Sequence, residues 1–361
     1  MTEKDFNLKS DISNLELGSV KWSSPSNIAL VKYWGKRKNQ IPANPSISFT
    51  LSNSKTITEL SFSKKPEADK FSFDVYFEGE RNEAFKPKIQ TFFERIEPYM
   101  SFLKNYRFKI DTKNTFPHSS GIASSASGMS AIALCLMDME RLLSTNEISD
   151  DYFNRKASFL ARLGSGSACR SIEGELVIWG ENKSFADSSD LFGVRFTETL
   201  HPNFKDYQDA ILLVDKGEKQ VSSTVGHKLM EGHPYAPQRF EQAHRNLAEL
   251  KEVLISGDLK RFVEIVESEA LTLHAMMMTS MPYFILMKPN TLEIIQKIWR
   301  YRAENNSLLC FTLDAGANVH MLFPKSEASQ VYEFIKSQLV AYCQNGHYIC
   351  DSIGDGAMKL N

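Results

Sequence analysis

Apolar and polar positions alternate with a period of two over residues 26–33, 46–52, 56–63, 71–77 and 106–111, and Asn, Pro and Lys turns separate these runs, so the first third of the chain reads as sheet. The period changes to 3.6 where Ile89, Phe92, Phe93 and Ile96 fall on one side of a helix over 87–99. A second helix follows Ser124, with Met129, Ile132, Ala133, Leu136, Met139 and Leu143 on one buried face. A third covers 150–163 and stops at Gly164, ahead of a strand at 175–179. Residues 180–190 are polar and read as a domain seam. Beyond them come a strand at 209–214, helices at 236–255, 259–276 and 292–304, strands at 308–313 and 319–323, a helix at 327–339 and a strand at 348–353. Strands and helices mix without the strict alternation of a doubly wound sheet, which predicts an α+β fold in two layers. A chain of 361 residues exceeds what one core usually fills, so two domains are expected.

Composition narrows the function classes. Acidic and basic residues nearly balance, 44 against 42, which removes the broad positive field that nucleic-acid binding needs. No window approaches the run of about 20 apolar residues that a membrane span requires, and residues 1–19 carry no apolar core of the signal-peptide kind. Cys135, Cys169, Cys310, Cys343 and Cys350 are scattered without C-x-x-C or His-paired spacing, so reduced thiols in a cytoplasmic protein are expected. No His pair has zinc-ligand spacing, and His118, His274 and His320 read as packing or supporting residues.

Four segments carry candidate chemistry. Residues 116–128, FPHSSGIASSASG, form a proline-opened Gly/Ser turn running into the helix at Ser124. Helix N-termini leave N–H groups unpaired and carry partial positive charge, so this build cradles phosphate; plain N-capping is the alternative. Residues 32–36, KYWGK, place two ammonium groups beside a tyrosine at a strand end, suited to a phosphate-bearing substrate or else a solvated basic turn. Residues 164–170, GSGSACR, offer backbone N–H groups, small hydroxyls and one guanidinium that can grip a diphosphate or a carboxylate. Residues 314–318, DAGAN, put Asp314 at the end of an apolar strand, where it can deprotonate a hydroxyl or close an Asx turn.

In this order and spacing the four segments resemble the diphosphomevalonate decarboxylase family of the galactokinase/homoserine kinase/mevalonate kinase (GHMP kinase) superfamily. The likeness runs from about Ser24 to Asp314 and more faintly to the glycines at 354 and 356. Where the family reads N-S-S and D-A-G-P-N, this chain has Asn44–Pro45–Ser46 and Ala317. The resemblance implies two α+β domains with the active site in the cleft between them: residues 1–190 for ATP and substrate, and residues 191–361 as a ferredoxin-like domain. It further implies ATP-dependent decarboxylation of 5-diphosphomevalonate, with ATP and magnesium as cofactors and a homodimeric enzyme; a related mevalonate 3-kinase or 5-phosphomevalonate decarboxylase, or a non-enzymatic binding protein on the same fold, is the alternative. By position, Asp314 would orient or deprotonate the C3 hydroxyl, Lys32 would hold charge beside it and Arg170 would clamp the carboxylate. Tyr33, Trp34, Gly35, Lys36, Ser165, Gly166, Ser167, Ala168, Cys169 and Thr224 would line the substrate pocket. Pro117, Ser119, Ser120, Gly121, Ala123, Ser124 and Ser125, with Lys88, would face the nucleotide phosphates, and Ser124 the magnesium.

Overall fold

The computed structural model describes residues 1–7, 15–67, 70–117, 122–215 and 223–361, with residues 223 and 224 described by their backbone alone. In chain order the strands are β1 (Leu17–Val31), β2 (Ser46–Lys64), β3 (Ser72–Phe77), β4 (Glu80–Arg81), β5 (Tyr106–Asn114), β6 (Leu176–Trp179), β7 (Val194–Arg195), β8 (Gln208–Leu212), β9 (Cys310–Thr312), β10 (Val319–Phe323), β11 (Tyr348–Ser352) and β12 (Met358–Leu360). The α-helices are α1 (Lys86–Ile96), α2 (Ser124–Leu143), α3 (Asp150–Gly164), α4 (Ser223–Lys228), α5 (Ala236–Ser256), α6 (Leu259–Met278), α7 (Pro289–Asn305) and α8 (Ala328–Phe334).

Period-two alternation produces two sheets. The larger runs β12-β1-β2-β5-β3-β4, with β6 pairing β2 and β7 pairing β6; the smaller runs β11-β8-β10-β9. Pairing is antiparallel apart from β3 on β5. Together with the helices this is the α+β fold that the patterning predicts.

Three elements depart from the sequence reading. The two strands expected at 46–52 and 56–63 are one strand, β2. Its pairing with β1 slips between Pro25 and Asn27, and there the Asp351 carboxylate accepts the Asn53 and Ser54 N–H groups, each at 2.8 Å. A side chain thus stands in for the missing ladder bonds. Helix α2 is buried on more than one face, because β1 and β2 cover one side and α3 another. The last helix ends as a π-helical turn, Ile335–Leu339.

Apolar side chains gather into separate cores. One joins the large sheet to α1, α2 and α3 through Leu60, Phe93, Phe108, Leu136 and Leu160. A second is shared between the halves: Ile28, Leu30, Ile47 and Phe49 of the large sheet meet Ile211, Leu213, Leu250, Phe262 and Val266. Each such side chain contributes roughly 1.5–3 kcal/mol on burial, so the strand ends of the large sheet are held at fixed spacing from α5, α6 and the small sheet. A third core lies on the other face of the small sheet, against α7 and α8.

Candidate active site

Lys32 directly follows β1 and is 1% exposed. Its backbone is pinned from both halves. The Lys32 N–H donates to Glu269 Oε2 at 2.9 Å, and its carbonyl accepts from Asn44 Nδ2 at 2.9 Å and Arg239 Nη2 at 3.2 Å. Glu269 on α6 and Arg239 on α5 form a buried ion pair, with Asn246 Nδ2 donating to Glu269 Oε1 at 2.6 Å. With the backbone held, the side chain has little choice of direction, and Lys32 Nζ lies 3.4 Å from Asp314 Oδ1. Burial pushes the ammonium pKa down, and the Asp314 carboxylate opposes that fall.

Asp314 lies two residues beyond β9, its side chain 30% exposed. His274 Nε2 stands 3.1 Å from the Asp314 carbonyl oxygen, which accepts its proton. Burial holds this imidazole pKa at about 4, so near pH 7 the ring is neutral and supports the turn without adding charge. A half-exposed carboxylate beside a buried ammonium is placed to take a proton from a bound hydroxyl.

Arg170 sits in the 3-10 turn Gly166–Ser171. Its Nη1 donates to Ser46 Oγ at 2.5 Å, its guanidinium carbon lies 5.7 Å from the Trp179 ring, and its Nε has no partner among the described residues. Its charge reaches both Lys32 and Asp314. An arginine stays ionised even when buried, so a guanidinium with unused N–H capacity here suits a planar anion. The turn itself leaves no room for a larger residue at Gly166, where a Cβ would come within 2.9 Å of Trp179 and the Tyr33 hydroxyl. Ala168 and Cys169 are buried behind it. Burial pushes the Cys169 thiol up to about 12, which makes it packing rather than a nucleophile. Ser165 and Ser167 are half-buried at the turn.

Tyr33 packs its ring 4.6 Å from Trp179 and 4.2 Å from His227, and Trp34 lies 4.6 Å from His227. Trp34 is buried against Met230, Ala236, Leu273 and Met277, which explains a large aromatic in a turn. Gly35 has φ of 100°, a left-handed conformation that glycine adopts without strain, and its N–H donates to His227 Nδ1 at 3.0 Å. Burial, then Arg95, pushes the half-buried Lys36 ammonium down. His227 belongs to α4, as does Thr224, whose side chain lies outside the described residues. Nothing in the spacing around His227 marks it, because its partners are Tyr33, Trp34 and Gly35, far away in sequence.

In the segment 116–128, Ser119, Ser120 and Gly121 fall outside the described residues and Pro117 is exposed. Ala123 caps α2 in a left-handed conformation, φ 42°, with no side-chain hydrogen bond. Its carbonyl accepts the Ala126 N–H at 2.7 Å, but it has no side-chain oxygen with which to cap the N–H groups of Ser124 and Ser125. Ser124, Ser125 and Gly128 of α2 and Lys88 of α1, with Thr56 and Asn114, line a cavity of about 130 Å³. Ser125 Oγ lies 3.5 Å from Ser165 Oγ, which places this cavity next to the Gly166–Ser171 turn. Lys32, Asp314, Arg170, Tyr33 and the turn thus form one cluster, and Ser124, Ser125 and Lys88 an adjoining one. Among the described residues no group of three or more His, Cys, Asp or Glu side chains could hold a metal.

Two family models match the chain: a diphosphomevalonate decarboxylase-like N-terminal domain over residues 24–190, and a mevalonate 5-diphosphate decarboxylase C-terminal domain over residues 210–355. The diphosphomevalonate decarboxylase of Candida albicans is 28% identical over 338 residues, covering 88% of this chain and 87% of that one. The Saccharomyces cerevisiae enzyme of the same name is 28% identical, covering 87% of this chain and 80% of that one. Among solved structures, mevalonate diphosphate decarboxylase from Staphylococcus aureus superposes with a TM-score of 0.82 at 26% identity, over 96% of this chain and 98% of that one. The structure of MDDEF in complex with MVAPP, AMPPCP and magnesium has a TM-score of 0.81 at 27% identity, over 96% of this chain and 99% of that one.

Proposed function

This chain belongs to the diphosphomevalonate decarboxylase family, and from that membership and the chemistry of the cleft we propose that it converts (R)-5-diphosphomevalonate to isopentenyl diphosphate, with ATP consumed and ADP, phosphate and carbon dioxide released. The observation that carries the reading is the 3.4 Å approach of Lys32 Nζ to Asp314 Oδ1 between two halves that each match this family.

Hydroxide is a poor leaving group from a tertiary carbon, whereas phosphate leaves readily; ATP, when bound, supplies the phosphoryl group that makes this exchange at C3. The protein's own residues then do three things. Asp314 takes the C3 hydroxyl proton, and Lys32 neutralises charge on the reacting oxygen. Arg170 holds the substrate carboxylate by charge-assisted N–H bonds. The bond from C3 to the phosphate oxygen breaks with its pair on oxygen, and the bond from C2 to the carboxylate breaks with its pair forming the new double bond. Tyr33, Trp34, Gly35, Lys36, Thr224 and residues 165–167 line the pocket for the rest of the substrate, with Ala168 and Cys169 packed behind them.

The α2 N-terminus fits nucleotide phosphates, because Ala123 brings no side-chain capping oxygen and Ser124, Ser125, Gly128 and Lys88 surround a cavity beside it. Pro117, Ser119, Ser120 and Gly121 belong to the same loop in this reading. Magnesium is a hard cation that keeps phosphate and water ligands and needs few protein donors, so the Ser124 hydroxyl fits it without a carboxylate cluster. The division into residues 1–190 and a ferredoxin-like 191–361 is supported by matches that stop at 190 and resume at 210. We also carry over a homodimer and a cytoplasmic location. No described helix is long and apolar enough to cross a membrane, and light scattering tests the dimer.

Purified protein with ATP and magnesium, given mevalonate, its 5-phosphate and its 5-diphosphate in separate assays, decides the substrate by ADP and carbon dioxide release. Both products from the diphosphate alone are expected. ADP without carbon dioxide would make the protein a 3-kinase, and turnover of the monophosphate would move the activity to that substrate.

A further inference from the structure

His227 has no role in the reading above, yet it sits among the residues assigned to the substrate pocket. It is 8% exposed, with its ring against Tyr33 at 4.2 Å and Trp34 at 4.6 Å. Its Nδ1 accepts the Gly35 N–H at 3.0 Å, so that nitrogen carries no proton. Burial, with the Lys36 and Arg170 charges, holds the ring pKa at about 3, which keeps it neutral near pH 7. A neutral imidazole accepting at Nδ1 carries its proton on Nε2, and no acceptor among the described residues meets that N–H. Packing and the Gly35 hydrogen bond use the ring and Nδ1, and neither uses the Nε2–H. Lys36 and Arg170 both act on the ring, so an anion drawn to those cations arrives beside an unused N–H donor.

Resting on the reading of the cleft as a diphosphomevalonate site, we propose that His227 is a specificity-determining residue whose Nε2–H donates to a phosphate oxygen of the substrate's 5-substituent. A neutral donor discriminates by geometry: it rewards an acceptor oxygen at one place, whereas Lys36 attracts any anion. Gly35 fixes the tautomer, and the two aromatic rings fix the ring plane.

The test has two arms. In steady-state assays His227→Met is expected to raise KM for 5-diphosphomevalonate about tenfold or more, with kcat and the KM for ATP within about twofold; His227→Gln, which restores an N–H near the Nε2 position, recovers part of the loss. An unchanged KM in His227→Met, or equal losses in kcat and in both KM values, overturns the proposal. The second arm uses the wild-type full chain with inorganic pyrophosphate and follows imidazole ¹⁵N–¹H signals, His227→Met supplying the assignment. An Nε2–H tautomer whose signal moves on saturation with pyrophosphate supports the role; a proton on Nδ1, or an unmoved signal, rejects it. If the wild type releases no carbon dioxide from any of the three mevalonates, the decarboxylase reading fails while the pyrophosphate arm still decides His227.

Discussion

Lys32 Nζ and Asp314 Oδ1 approach to 3.4 Å although 282 positions separate the two residues in sequence. One stands at the end of β1 and the other just past β9, so the contact exists only when the two sheets are docked. Replacing Asp314 with Asn keeps the shape and removes the proposed base. Turnover is expected to fall by about 10²–10⁴-fold, with nucleotide affinity within about twofold, because a general base acts in the transition state and little in the ground state. Single-turnover carbon dioxide release and nucleotide titration measure the two; comparable turnover in variant and wild type removes Asp314 from the chemistry.

The same contact gives a pH dependence with a definite sign. Burial lowers the Lys32 pKa from 10.5 and Asp314 raises it back in part. An ammonium needed in its charged form is lost as pH rises through that lowered value, so the alkaline limb of kcat is expected below 10.5. In the residual activity of Asp314→Asn the limb moves further down, since the opposing carboxylate charge is gone. A limb unmoved between the two proteins would mean that another group controls it.

Arg170→Lys keeps the charge and loses the fork. Arg170 already uses Nη1 on Ser46 Oγ at 2.5 Å, and a lysine at this buried site cannot hold Ser46 and a planar carboxylate together. A fall in kcat/KM of about 10–100-fold is expected. Unchanged kinetics would assign the carboxylate clamp to another residue.

Glu269 and Arg239 hold Lys32 by its backbone. Removing the carboxylate leaves a guanidinium buried without its counter-ion, so Glu269→Ala is expected to lose about 3–5 kcal/mol of stability in urea unfolding. The double replacement Glu269→Leu, Arg239→Met loses less than the two single changes summed, because no charge remains unpaired. Additive losses would show that the two side chains stabilise the protein independently.

Local features of the site were legible because they depend on neighbours in the chain. The helix after Ser124, the end of α3 at Gly164 and the strand before Asp314 all follow from spacing and from glycine or proline punctuation. The cleft was reached only through resemblance, since no periodicity says that Lys32 and Asp314 meet. His227, Glu269 and Arg239 were missed for the same reason: each acts on the KYWGK turn from a helix about 200 or more positions later. The break read within β2 is a real irregularity, but its explanation, the Asp351 carboxylate, also lies at the far end of the chain. Long-range hydrogen bonds decide such details, and they leave no trace in local hydropathy.

Gly128 separates the phosphate cradle from plain helix capping, the two readings that residues 116–128 leave open. It lies inside α2, where Ala is favoured over Gly by about 1 kcal/mol, and among the described residues a Cβ built there meets nothing within 4 Å beyond its own stretch of helix. For folding, Gly128→Ala is therefore expected to be neutral or stabilising by up to that amount. Yet Gly128 lines the cavity of about 130 Å³ shared by Ser124, Ser125 and Lys88, and a methyl group on its wall takes space from whatever binds there. If nucleotide phosphates occupy that cavity, the KM for ATP rises severalfold while the KM for the mevalonate substrate and the melting temperature do not worsen. If the segment only caps the helix, the variant gains stability and both KM values stay at their wild-type levels. Thermal unfolding and initial-rate kinetics on this single variant distinguish the two.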